Sequence, residues 1–261
     1  MNNKLWLEAK NICAYKNGYK VVRDLTVNFR ERENIIILGP NGSGKSSIID
    51  LINRNIYPIE KQKTSFKIFN KELIDLWELR KKISTVNNEI KQRINPNLKI
   101  IDLIISGFHG KYSKLLINKE EEIKIATELI NKLSIENLSN KAYGYLSDGE
   151  KQLCLIARAL VNKPKVLILD EPSINLDLKS KFYLIDKIKE LGRSGISILC
   201  VTHDISMISG NYNRVIMIKD REIIADGYPK EILTSKKLNL LFNVKVKLVQ
   251  NHRNEFDILR L

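Results

Sequence analysis

The feature that most constrains this chain is a Gly-rich octapeptide, Gly39 to Ser46 (GPNGSGKS), set between an apolar run and a helical pattern. Asn34 to Leu38 (NIIIL) is apolar after its first residue, as a strand buried on both faces requires. Ser46 to Ile52 (SSIIDLI) has helical spacing. A strand, a tight turn and a helix in succession aim the first helical N–H groups and the positive dipole end into the turn. The octapeptide fits G-x-x-x-x-G-K-[ST], a pattern with a chance of roughly 1% of arising in a chain of average composition. Its glycines let the backbone curl around phosphate groups. Lys45 can reach β- and γ-phosphate oxygens, and the Ser46 hydroxyl can ligate Mg²⁺. The expected nucleotide contacts are therefore Gly39, Pro40, Asn41, Gly42, Ser43, Gly44, Lys45, Ser46 and Ser47. A guanine-reading Asn-Lys-x-Asp motif does not follow; the candidate at Asn162 to Lys165 (NKPK) lacks the carboxylate.

Further along, Val166 to Leu169 and Ile196 to Val201 are again buried-strand runs, separated by a helical stretch from Lys179 to Leu191. This βαβ rhythm predicts a parallel sheet with helices on both faces. Two regions depart from it. Leu5 to Phe29 and Phe66 to Phe69 alternate apolar and polar residues, which predicts antiparallel strands with one solvated face. Ile90 to Val161 has no clear strand, and Glu120 to Leu133 has helical spacing. The predicted fold is thus α/β: a phosphate-loop parallel-sheet core, an N-terminal antiparallel β region and an inserted helical subdomain. One domain is expected over residues 1–228, with its core at about 1–87 and 162–228 and the helical part at about 88–161. Residues 229–261 are expected to form a C-terminal helix, from Lys230 to Thr234, and a tail.

Composition narrows the setting. The net charge of +14 invites a nucleic-acid reading, but Lys and Arg are spread along the chain without a basic block interleaved with aromatics. A nucleic-acid partner is therefore not expected. Cys13, Cys154 and Cys200 are odd in number and far apart, which points to a reducing compartment and away from disulfides or a zinc site. Met1 to Lys10 lacks the apolar stretch of a secretory signal, and no apolar run reaches the 18 or so residues that span a bilayer.

A second cluster of chemistry follows the octapeptide. Val166 to Leu169 runs into Asp170, Glu171 and Pro172. Ligands of parallel sheets sit at the C-terminal ends of strands, so Asp170 can hold a Mg²⁺ shell and Glu171 can polarise an attacking water. Upstream, Leu146 to Glu150 (LSDGE) leads into the helical Lys151 to Leu160. Ser147 and Glu150 have capping-box spacing. The same Ser and Gly149 at a helix N-terminus also present a hydroxyl and bare N–H groups to an anion.

The octapeptide, LSDGE, the strand ending in Asp-Glu-Pro and the later Val201-Thr202-His203-Asp204, in that order, strongly resemble the ABC (ATP-binding cassette) ATPases. The resemblance covers about Leu5 to Leu233. It implies that Tyr15 stacks on adenine and that Ser147 and Gly149 contact the γ-phosphate held by a second subunit. It implies that Asp170 is associated with Mg²⁺, that Glu171 is the general base, and that His203 hydrogen-bonds the γ-phosphate and the water. Ser173 to Asp177 (SINLD) matches the loop that crosses the dimer interface, with Asp177 as its acid.

Some positions differ from the family pattern. Ile83 to Asn88 (ISTVNN) stands where relatives place a Gln that touches Mg²⁺, so Asn88 or, one turn on, Gln92 takes that role. Asp148 and Glu150 replace the commoner Gly and Gln of the signature. Asn70, Asn175 and Arg221 occupy turns that relatives make on Gly; Asn tolerates positive φ, and an Asp220–Arg221 hairpin turn is expected to be costly.

The resemblance implies an ATPase that powers a membrane transporter as an ATP-sandwich homodimer, with Lys45, Glu171 and His203 catalytic and Mg²⁺ as cofactor. Permease subunits would come from other chains, placing this one in the cytoplasm on the inner face of the membrane. The signature form and the stretch Ile223 to Leu233 favour an importer of a metal complex, oxyanion or cofactor. The alternative is a soluble ABC ATPase serving iron–sulfur assembly, nucleic acid or the ribosome. Pro172 and the single cassette speak against it.

Overall fold

The computed structural model describes residues 4–59, 63–113, 119–251 and 255–261. β1 (Leu5–Lys16) and β2 (Tyr19–Arg30) form an antiparallel pair with several register shifts. β3 (Asn34–Leu38) leads through the Gly-rich turn to α1 (Lys45–Ile52). β4 (Ser65–Ile68) returns to pair with β1, completing a three-stranded sheet of order β2-β1-β4.

α2 (Leu76–Lys82) and β5 (Ile83–Val86) precede a helical stretch of α3 (Asn88–Arg93), α4 (Ile100–Ile105), α5 (Glu120–Lys132) and α6 (Asp148–Leu160). β6 (Val166–Asp170), α7 (Leu178–Arg193), β7 (Ser197–Thr202), β8 (Arg214–Lys219) and β9 (Glu222–Gly227) follow. The main sheet has the order β5-β6-β7-β3-β8-β9; all its neighbours are parallel except the β8–β9 hairpin.

The continuous apolar strands are explained by a core on each face. Successive side chains of a strand point to opposite sides of the sheet. Ile36, Leu38, Leu167, Leu169 and Cys200 enter a cluster with the helices α4 to α7. Ile35, Ile37, Ile168 and Val201 enter a second cluster with β1, β2, β4 and α1. The antiparallel sheet thus caps one face of the parallel sheet, and the helices cover the other.

Between β5 and β6 the described residues form helices and one isolated bridge, Lys99 with Ala142; residues 114–118 lie outside the described residues. Leu103, Ile104, Ala126, Ile130 and Leu153 share one apolar cluster with the main sheet. The C-terminal segment joins the same cluster through Leu238, Leu241, Val246 and Phe256. The helix expected over Lys230 to Thr234 is α8 (Pro229–Ile232), which ends two residues earlier, and a second helix not expected from the sequence, α9 (Ser235–Phe242), follows. Thr234 causes the break, because its side chain caps α9 by accepting from the Lys237 N–H (3.2 Å). β10 (Val246–Gln250) and β11 (Phe256–Arg260) then form a terminal hairpin.

The turns expected without glycine are made as anticipated. Asn70, Asn175 and Arg221 all have positive φ, 63°, 63° and 72°. Cys13, Cys154 and Cys200 are buried, and none of them is disulfide-bonded.

Candidate functional site

Three neighbouring strands, β6, β7 and β3, end at one place, and the register decides what meets there. Val201 of the central strand pairs with Ile37 on one side and Asp170 on the other. The Gly39 N–H donates to the Thr202 carbonyl (3.3 Å), and the Glu171 N–H donates to the Val201 carbonyl (2.8 Å). His203, the next residue, therefore leaves the sheet between the Gly-rich turn and the two carboxylates.

The turn is shaped by glycines with definite tasks. Gly42 and Gly44 have φ of 78° and 103°, the left-handed region in which side chains are strained. At Gly39 a Cβ would lie 2.3 Å from the Ile218 carbonyl oxygen of β8. Gly44 caps α1 without any side-chain hydrogen bond. The N–H groups of Lys45, Ser46 and Ser47 in the first turn thus receive no side-chain cap, which suits them to an anion.

The Lys45 side chain is buried and curls back over the loop. Its Nζ donates to the carbonyls of Gly39 (2.7 Å) and Pro40 (3.0 Å) and lies 3.4 Å from Oε1 of Glu171. Glu171 has φ of 49°, a strained conformation for a non-glycine residue and one common at functional positions. Its other oxygen, Oε2, lies 2.9 Å from Nδ1 of His203 and accepts the His203 backbone N–H (3.3 Å). Glu171 is thereby held from both sides. His203 itself is well exposed, at 42% of its side chain, so one ring edge stays available to a substrate.

Asp170 stands behind this pair. Burial, and next the charge of Glu171, push its pKa up to about 6, against the opposing pull of Lys45 and of a hydrogen bond with Ser46. Its Oδ1 is buried without a hydrogen-bond partner. An orphaned carboxylate oxygen beside a serine hydroxyl is an all-oxygen donor set that fits Mg²⁺. No group of three or more His, Cys, Asp or Glu residues gathers into a metal cage among the described residues. Mg²⁺ takes one or two protein oxygens and completes its shell with water and phosphate. Asn88 and Gln92 lie one turn apart on α3, at the exit of β5. Val86 pairs with Leu169, so β5 ends next to the strand that carries Asp170, and α3 begins there. Asn88 is half-buried and Gln92 is exposed.

The signature segment forms the capping box that its spacing predicts. Ser147 caps α6 by accepting the Glu150 N–H (3.3 Å), while the Glu150 Oε2 accepts the Ser147 N–H (2.8 Å). Gly149 also has a packing role: a Cβ there would meet Ser180 of α7 at 2.7 Å. Ser180 in turn donates its N–H (2.9 Å) and hydroxyl (2.8 Å) to Asp177, which caps α7. These bonds, the Ser180 N–H first, hold the Asp177 carboxyl below its ordinary range. The signature and the loop ending at Asp177 are thus joined through Ser180, whose Asp-x-x-Ser spacing was the available sequence sign.

Tyr15 lies on β1, opposite Lys20 and 47% exposed. Its neighbour Lys16 bonds Asp50 of α1 (2.8 Å), fastening that end of β1 to the helix after the turn. The sequence gives no sign that Asp204, Ser173 and Lys181 meet. The Asp204 carboxylate accepts the Ser173 hydroxyl (3.3 Å) and pairs with Lys181 of α7, tying the segment after His203 to the loop that follows Glu171. No local pattern announces such a link, because its members are up to 31 residues apart.

Residues 22–174 match the family model described as ABC transporter. Among curated proteins, the chain is 31% identical over 261 residues to an uncharacterised ABC transporter ATP-binding protein of Lactococcus lactis, covering 97% of this chain and 98% of the relative. It is 29% identical over 260 residues to a protein of Helicobacter pylori named "probable iron chelatin transport ATP-binding protein", covering 98% and 99%. Among solved structures, it resembles an ATP-binding cassette captured as a dimer in a post-hydrolysis state with ADP and Pi. That likeness has 29% identity and a TM-score of 0.71, over 85% of this chain and 98% of the other.

Proposed function

Because this chain belongs to the ABC transporter family and is an ATP-binding, ATP-hydrolysing subunit, we propose that two copies close around two ATP·Mg²⁺ and drive an importer. The observation that carries the hydrolytic part is Glu171, held by Lys45 at one oxygen and His203 at the other at the mouth of three strands. Residues 39–47 hold the phosphates, with Gly42 and Gly44 curling the backbone and Tyr15 stacking on adenine near the end of β1. Lys45 exchanges the carbonyls of Gly39 and Pro40 for β- and γ-phosphate oxygens, which frees Oε1 of Glu171. Glu171 then accepts a proton from the attacking water as its oxygen bonds to the γ-phosphorus and the bond to the ADP oxygen breaks. His203 positions the water and the γ-phosphate. The products are ADP and phosphate.

Ser46, Asp170 and Asn88 or Gln92 would hold Mg²⁺, which when bound would neutralise phosphate charge. Ser147 and Gly149 of the second copy complete the site, and Asp177 lies in the crossing loop. The relative solved as a dimer with ADP and Pi supports this assembly. Closure is favoured by contacts to the γ-phosphate that only the closed dimer makes.

No helix among the described residues is long and apolar enough to cross a membrane. Permease chains supply that part, and this subunit works from the cytoplasmic face. The near full-length similarity to the iron chelatin transport protein supports import of a metal complex. The test is Glu171→Gln, followed by size-exclusion chromatography with Mg²⁺·ATP and by phosphate release. A mutant that dimerises on ATP but does not hydrolyse it supports the reading; a mutant that hydrolyses at the wild-type rate overturns it.

A further inference from the structure

Arg221 is an unusual residue in an unusual place. It occupies the second position of the β8–β9 turn with φ of 72°, preceded by Asp220 at 50°. An L-residue there is strained where glycine is not, so the fold alone favours glycine at 221. The turn is seated directly on the Gly-rich loop. The Arg221 N–H donates to the Ser43 carbonyl (2.9 Å), and its own carbonyl accepts the Arg23 N–H of β2 (3.3 Å). A Cβ on Gly44 would lie 3.3 Å from the Arg221 Cα and 3.5 Å from its Cγ. The Arg221 stem therefore lies against Gly44, the residue that caps α1 where the phosphate-binding N–H groups begin. Among the described residues no carboxylate pairs with its guanidinium, whereas Arg23 beside it is engaged by Glu222 (3.6 Å).

We infer that Arg221 is a nucleotide-binding residue, a cation fixed on the rim of the Gly-rich loop that serves the polyphosphate of the bound nucleotide. The inference rests on residues 39–47 being the nucleotide site. Three features converge on it: backbone strain that glycine would relieve, a backbone bond that locks the turn to the loop, and a cation without a protein partner. Arg is suited to the task, because its fork of N–H donors matches phosphate geometry and its charge persists at all relevant pH. Arg221 is half-exposed, so the attraction of its charge is screened by salt.

The experiment compares Arg221→Gly, Arg221→Asn, Arg221→Lys and Lys45→Ala in the full chain, measuring the Kd for ATP and ADP at low and high salt together with Tm. Arg221→Gly and Arg221→Asn are expected to raise Tm by about 2–4 °C through relief of strain. Both should weaken ATP and ADP binding about five- to tenfold at low salt, a loss that shrinks at 0.5 M salt. Arg221→Lys should retain most of the affinity without the gain in Tm. If Arg221→Gly raises Tm while both Kd values stay within twofold of wild type, Arg221 only covers Gly44 and the inference is overturned. Lys45→Ala separates the two readings. If it leaves nucleotide binding intact, the loop is not the nucleotide site; if it abolishes binding while the Arg221 variants bind normally, only the role of Arg221 fails.

Discussion

Nδ1 of His203 lies 2.9 Å from Oε2 of Glu171, while Lys45 stands 3.4 Å from the other oxygen of the same carboxylate. One carboxylate thus links the ends of three strands. Its two oxygens are not equivalent: His203 fixes one, and the other faces a cation that phosphate can draw away. His203→Ala is therefore expected to lower the hydrolysis rate by about 10²–10⁴-fold while changing the ATP Kd little. Single-turnover phosphate release measured beside equilibrium binding checks this. A His203→Ala protein that turns over normally would remove His203 from the mechanism.

Asp170 is held near pH 6 chiefly by burial and next by the charge of Glu171. Its folded pKa lies above the unfolded one, so the folded chain binds more protons between about pH 4 and 6 and loses stability as pH rises through that window. Asp170→Asn removes the buried charge. It is expected to stabilise the nucleotide-free protein by about 1–3 kcal/mol at pH 8, with the gain vanishing below about pH 4. The same substitution should abolish Mg²⁺-dependent hydrolysis. Thermal melts across this pH range in metal-free buffer, paired with activity assays, test both parts.

Gly149 is caught between two explanations, since a Cβ there would meet Ser180 at 2.7 Å. Gly149→Ala should destabilise the chain by about 1–3 kcal/mol through overpacking. Ser180→Gly opens the space, so the double variant is expected to recover most of the Tm lost to overpacking, less about 1 kcal/mol for glycine in a helix. ATP-driven dimerisation should stay impaired in the double variant if, as proposed, the Gly149 backbone must lie close to the γ-phosphate held by the partner. Recovery of dimerisation along with Tm would make Gly149 a packing residue alone.

Asp204 is half-buried beside Lys181. Burial raises its pKa, but the hydrogen bonds from Lys181 and Ser206 outweigh it and hold the carboxyl below its ordinary value. A depressed carboxyl contributes stability that is present above its unfolded pKa and lost as pH falls through the folded one. Lys181→Ala should therefore lower stability at pH 7 by up to about 1 kcal/mol. The difference from wild type should close as pH falls below about 4. Urea titrations at pH 7 and at pH 3 provide the measurement; an equal deficit at both would assign the loss to packing.

Much of the architecture was legible because it is local. The run from Asn34 to Leu38 needs only apolar side chains to become a doubly buried strand, and the left-handed turns at Asn70 and Asn175 need only residues that tolerate positive φ. The capping box of Ser147 and Glu150 spans one helical turn and was read directly. The link of Asp204 to Ser173 and Lys181 was not readable, because it depends on where two loops from different strands end. The break at Thr234 was missed for the opposite reason: a capping residue looked like the tail of one helix and proved to be the start of another.

The sequence by itself determined the phosphate loop, the carboxylate pair, the signature helix and the order in which they occur, since each is a short motif whose chemistry follows from adjacent residues. Only the tertiary structure decided that β7 lies between β3 and β6. That placement brings His203 to Glu171 and Lys45 to the same carboxylate. It also set the β8–β9 turn against Gly44, placing Arg221 on the rim of the loop. Strand order is fixed by the packing of two apolar cores on opposite faces of one sheet, a sum over distant residues that no window along the chain contains.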